Sequence, residues 1–153
     1  MALQVAEKNF DKKSLLLIGI KENGIFIADA IGKYLKEYFT GSIEVISLEL
    51  NKKMPGEIKL SSPLDFNEKN ILLIDDVANS GRTMLYAIKP LLAQYPAQLE
   101  TLVLVERTHK LFPVAINYNG MSVSSTLQQN IVVQVKNAEI QGAYISELVN
   151  AEV

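Results

Sequence analysis

The 153-residue chain has no cysteine, no tryptophan and one histidine, His109. Without thiols there can be no disulfide framework, thiolate nucleophile or thiolate metal site, and a single imidazole cannot build a histidine cluster. Structural zinc is excluded. No apolar run approaches the roughly 18 residues of a membrane span, and the opening "MALQVAEKNFDKKS" lacks the apolar centre of a secretion signal. The expected compartment is the cytoplasm, with no membrane partner. Charge of one sign is scarce too: 15 Lys and Arg stand against 17 Asp and Glu, a net charge of -2. So even a balance gives no footprint for a polyanion, and RNA is not an expected partner.

What the chain does have is ordinary globular material, 48% hydrophobic and 21% charged, in a length that suits one domain over residues 1–153. The runs "LLLIGI" (15–20), "SIEVISLEL" (42–50), "ILLI" (71–74) and "TLVLVE" (101–106) are too short for helices and read as strands. Between the first two, Ile27, Ile31, Tyr34, Leu35 and Tyr38 recur at helical spacing, which predicts an amphipathic helix from Gly24 to about Phe39. A second helix is expected over residues 81–95, kinked or broken early by Pro90. This alternation predicts an α/β fold, an open and mainly parallel twisted sheet with helices on both faces. Residues 51–70 read as a hairpin or mobile loop. Beyond Pro113 come a short strand in "VAINYNGM" with a turn signal at Asn119 and Gly120, then "IVVQV", then an amphipathic or frayed end through "EIQGAYISELV". The strands in this region form a small additional β region.

The stretch "ILLIDDVANSGRTM", residues 71–84, carries the chemistry. A strand covered on both faces cannot hold Asp75 and Asp76 unpaired without a large desolvation cost, so the acids are expected at its end. In an open parallel sheet that end borders the ligand crevice. The small residues that follow, with hydroxyls at Ser80 and Thr83 and a glycine at Gly81, allow several amides to face one phosphate. Acids beside amides suit a sugar phosphate. Either fragment alone is equally well a solvated strand end or a plain turn. The paired acids of receiver domains follow a first strand, whereas this pair follows the fourth, and no Gly-x-x-x-x-Gly-Lys loop for a nucleoside triphosphate occurs.

These residues resemble the phosphoribosyl pyrophosphate (PRPP) signature of type I phosphoribosyltransferases. The likeness extends to "LLLIGIKENGIFIADAI", similar to that family's first strand, pyrophosphate loop and next helix. "LVLVERTHKLFPVAINYNGMSV" is similar to the branch of uracil phosphoribosyltransferase and the pyrimidine-operon regulator. The resemblance implies that a nucleobase, pyrimidine-like, displaces pyrophosphate from PRPP with magnesium, giving UMP if the base is uracil. Asp75 and Asp76 would be catalytic, holding the ribose hydroxyls. Ala78, Asn79, Ser80, Gly81, Arg82 and Thr83 would bind the 5'-phosphate, and Lys21, Glu22, Asn23 and Gly24 the pyrophosphate. Arg107 and His109 would lie at the base pocket. No metal ligand is assigned, and a homodimer is implied.

The chain departs from the family at three places. The catalytic loop is matched only by "ELNKKMPGEIKL", where Lys52, Lys53 or Lys59 would replace arginine without its bidentate fork. Only 14 residues precede the first strand, so the branch's N-terminal helix is expected to be short or missing. "SVSST" (122–126) stands where the branch has Pro-Thr-Ser. These changes bear on turnover and choice of base rather than on PRPP recognition. They favour as alternatives a catalytically weak PRPP- or nucleotide-binding regulator, or a purine phosphoribosyltransferase.

Overall fold

A computed structural model describes residues 1–51, 58–61, 64–125 and 129–147. A short helix α1 (Ala2–Lys8) leads into β1 (Ser14–Ile20), α2 (Gly24–Leu35) and β2 (Ser42–Leu50). Then follow β3 (Ile58–Leu60), β4 (Asn70–Ala78), α3 (Arg82–Ile88), a 3-10 turn at Leu91–Ala93 and β5 (Gln98–Arg107). β6 (Tyr118–Val123), β7 (Gln129–Lys136) and β8 (Glu139–Glu147) complete the described elements. The main sheet has the order β3-β2-β1-β4-β5-β6, parallel except for the antiparallel pair of β2 and β3. β7 and β8 form a separate antiparallel hairpin.

Alternation in the strands assigns each side chain to one of two cores. Leu16, Ile18, Ile20, Ile71 and Leu73 pack with Met84 and Ala87 of α3. Their neighbours Leu15, Leu17, Leu72 and Ile74 pack with Val5 of α1 and Ile27, Ile31 and Leu35 of α2. Period two in the strands therefore meets a helix on each face, and each fully buried Leu or Ile contributes about 1.5–3 kcal/mol.

Chain order decides where a ligand can sit. From β1 the chain passes through α2 to β2 on one side, and it reaches β4 on the other. Helices thus leave the sheet in opposite directions above β1 and β4, opening a crevice at their carboxyl ends. Two glycines bring the chain close to that crevice. A Cβ on Gly19 would lie 2.5 Å from Ile25 Cα, and one on Gly24 2.5 Å from the Ile74 carbonyl oxygen. Without side chains at these positions, the start of α2 rests directly on β1 and β4.

Four expectations change. β4 continues to Ala78, so Asp75 and Asp76 lie within the strand rather than at its end. Burial of Asp75, 2% exposed, is offset because its Oδ1 accepts the Asp76 amide at 2.9 Å. α2 ends at Leu35, and residues 36–39 form a tighter turn in which the Tyr38 and Phe39 amides both reach the Leu35 carbonyl. Asn119 and Gly120 make no turn: they lie in β6, which runs parallel to β5 and leaves no room for a hairpin there. In place of the expected amphipathic or frayed end, residues 139–147 form a strand that pairs with β7 through an intervening two-residue turn. Pro90 does stop α3, which ends at Ile88. The 51–70 connection contains β3, while residues 52–57 and 62–63, with Lys52 and Lys53, fall outside the described residues.

Candidate active site

Both acids of the opening motif are held by the backbone amide that follows them. Asp76 Oδ1 accepts the Val77 amide at 2.8 Å, repeating the Asp75 arrangement one residue on. The other Asp76 oxygen, Oδ2, accepts the Asn23 side-chain amide at 2.8 Å. Each of these bonds satisfies a carboxylate oxygen that would otherwise be costly to bury.

A cavity of about 330 Å³ opens beside these acids. It is lined by Asn23, Asp75 and Asp76, by residues 77–84, and by Ile131, Val132 and Val133 of β7. That volume stands at the small end of ligand sites. Residues 78–83 wrap one wall. The Ser80 carbonyl accepts the amides of Leu111 and Phe112, each at 3.0 Å, while Ser80 Oγ accepts the Arg82 amide at 3.3 Å. Gly81 has φ +82°, a conformation that disfavours other residues, and a Cβ there would also meet Val114 Cγ1 at 2.8 Å. The loop is thus anchored through the Ser80 carbonyl and its glycine to the segment after β5.

The expected site residues separate into two groups. Asp75, Asp76, Ala78, Asn79, Ser80, Gly81, Arg82 and Thr83 all line the one cavity, joined by Asn23 from the loop before α2. Lys21 and Glu22, linked by a cis peptide, are exposed, and Lys21 Nζ lies 3.3 Å from Glu49 Oε2. Gly24 is buried against β4. Arg82 is exposed and stacks its guanidinium over the Phe112 ring at 5.2 Å. Arg107 is buried behind the wall, and His109 is exposed; neither lines the cavity.

The strand that roofs the site is absent from the sequence-based set. Ile131, Val132 and Val133 belong to "IVVQV", whose alternation marks a strand but carries no mark of what it covers. It stands more than 50 residues from Asp76 in the chain, beyond the reach of local pattern. Asn23 also donates to the Val133 carbonyl at 3.3 Å, tying roof to floor.

The profile of the phosphoribosyl transferase domain matches residues 1–139. The chain belongs to the phosphoribosyltransferase family. Among relatives of this phosphoribosyltransferase domain, the bifunctional protein PyrR of Streptococcus pneumoniae (strain CGSP14) is 29% identical over 144 residues, covering 90% of this chain and 83% of that protein. Solved structures share the fold. The hypoxanthine phosphoribosyltransferase of Trypanosoma cruzi superposes with a TM-score of 0.71 at 16% identity, covering 80% of this chain and 72% of that one. A hypoxanthine-guanine phosphoribosyltransferase from Bacillus anthracis gives 0.65 at 19% identity, covering 86% and 75%. Among the described residues, no helix is long and apolar enough to cross a membrane.

Proposed function

We propose that this phosphoribosyltransferase domain binds PRPP, or a 5'-nucleotide of like shape, beneath β7, and acts as a regulator with weak or no base transfer of its own. The convergence of Asp75, Asp76, Asn23 and residues 78–83 on one cavity carries this reading. The acids would accept hydrogen bonds from the ribose hydroxyls, and the loop, with Ser80 and Thr83, would hold the 5'-phosphate. Residues 21–24 would meet the pyrophosphate. Where transfer occurs, positive charge grows at the sugar as pyrophosphate leaves, and carboxylates fixed nearby stabilise it at no further reorganisation cost. Weak turnover is favoured by lysines where the family's catalytic loop carries arginine, and a second role fits the bifunctional label of the PyrR relative.

Magnesium suits this donor set. It takes one or two carboxylates and completes its shell from phosphate oxygens and water. Among the described residues no group of three or more acids or histidines forms a cage of its own. Asp75 and Asp76 would contribute carboxylates, and the ion would neutralise diphosphate charge.

Purine transfer is the second reading, favoured by the hypoxanthine and guanine enzymes among the structural neighbours. Transfer to uracil, giving UMP, follows from the sequence resemblance to the pyrimidine branch. A base-side position for Arg107 and His109 and a homodimer have the same support. The test pairs a melting curve with pyrophosphate release from PRPP and magnesium, using uracil, hypoxanthine, guanine and xanthine. A raised Tm without release supports the regulator; release with a purine supports the second reading. No shift at millimolar PRPP overturns the site.

A further inference from the structure

Arg107 ends β5 and is 4% exposed. Its guanidinium reaches in two directions. Nε and Nη2 both donate to Asn79 Oδ1, at 3.2 and 3.0 Å, and Asn79 lines the cavity. Nη2 also donates to the Gln129 carbonyl, and Nη1 to the Ser125 carbonyl at 3.4 Å. Gln129 is the first residue of β7, the strand whose Ile131, Val132 and Val133 form the roof. One planar cation therefore joins the loop that would hold a phosphate to the backbone that enters the roof. No side chain with a single point charge could span both with this geometry.

We propose that Arg107 is a positioning residue that couples the phosphate loop to the roof strand over the same cavity. This rests on the reading of residues 78–83 as a phosphate loop. Asn79 cannot move without straining bonds from the guanidinium, and the guanidinium cannot move without disturbing the carbonyls at Ser125 and Gln129. A phosphate ligand that fixes the loop therefore favours the docked roof, and by linkage the docked roof favours the ligand. Arg107 acts through Asn79 and the β7 backbone, and it is not among the residues lining the cavity.

Amide hydrogen exchange with and without PRPP and magnesium tests the coupling. In the wild type the ligand slows exchange in residues 78–83 and in residues 129–136. In Arg107→Met, similar in length but without donors, slowing persists in 78–83 and is lost in 129–136, while PRPP Kd rises about tenfold. Asn79→Ala cuts the same bridge from the other end, carries the test if Arg107→Met does not fold, and is expected to lose the same protection. Undiminished protection of 129–136 in either folded variant overturns the proposal, as does a wild type whose ligand protects the loop alone. A wild type that shows no protection anywhere instead overturns the phosphate reading on which the proposal rests.

Discussion

Asn23 and Asp76 meet across the crevice between β1 and β4, with 2.8 Å between Asn23 Nδ2 and Asp76 Oδ2. The same nitrogen lies 3.3 Å from the Val133 carbonyl, so a neutral amide occupies a point where three segments converge. Asn23→Asp would place a second carboxylate against Asp76 and turn an attraction into repulsion, in a cavity proposed to take an anion. PRPP affinity should fall at least about tenfold, while the melting temperature without ligand falls by a few degrees. Calorimetric titration of both proteins checks this, and equal affinities would remove Asn23 from the binding site.

Asp75 and Asp76 should divide between stability and binding. Asp75 is buried and its carboxylate accepts a backbone amide, so Asp75→Asn weakens a charge-assisted bond and should cost about 1–2 kcal/mol by denaturant melt. Asp76 is half-buried and lines the cavity. Asp76→Asn should leave the unliganded melt within about 1 kcal/mol of wild type. The double replacement should remove most of the Tm rise that PRPP with magnesium produces. A double variant that keeps the full rise would move the sugar away from these acids.

Gly24→Ala should be among the most damaging single-methyl changes in the chain. The new Cβ would stand 2.5 Å from a strand carbonyl, which cannot yield without shifting the start of α2. A loss of about 1–3 kcal/mol is expected, read by denaturant melt. Ligand affinity should fall with it, because Asn23 precedes the displaced residue.

Far from the cavity, Glu100 makes stability depend on pH. Burial raises its carboxyl, but hydrogen bonds from Lys8, Asn9 and Tyr118 and the Lys8 charge outweigh that and leave it below the ordinary carboxylate range. With the folded value lower than the unfolded one, the stabilisation is complete above the unfolded value and disappears as pH falls through the folded one. The Tm gap between wild type and Glu100→Gln should therefore be widest above about pH 5 and narrow on acidification. A gap that widens toward acid would reverse this sign.

Much of the fold was readable because short apolar runs and helical spacing reflect only local burial. β1, β2, β4, β5 and the start of α2 follow from them directly. The cavity wall of residues 78–83 was readable for a related reason, since Ser80, Gly81 and Thr83 stand next to the acids in the chain. What escaped depends on contacts distant in sequence. β4 runs past its two acids because Asp75 finds an amide partner within its own backbone, a local remedy that hydropathy does not register. Asn119 and Gly120 carry a turn's chemistry, yet pairing with β5 overrides it. β8 has alternation weak enough to pass for an amphipathic or frayed end until β7 supplies its partner. The placement of Arg107 behind the wall, and of β7 above it, comes from tertiary packing alone.

The hairpin of β7 and β8 shares no strand ladder with the six-stranded sheet and is held to it by a small apolar cluster around Val105, Ile131 and Val133 and by the side chains of Asn23 and Arg107. It can accordingly lift as a cooperative unit at a fraction of the free energy needed to melt the molecule. If the proposed ligand enters beneath this roof, the six-stranded sheet that carries both acids need not open with it.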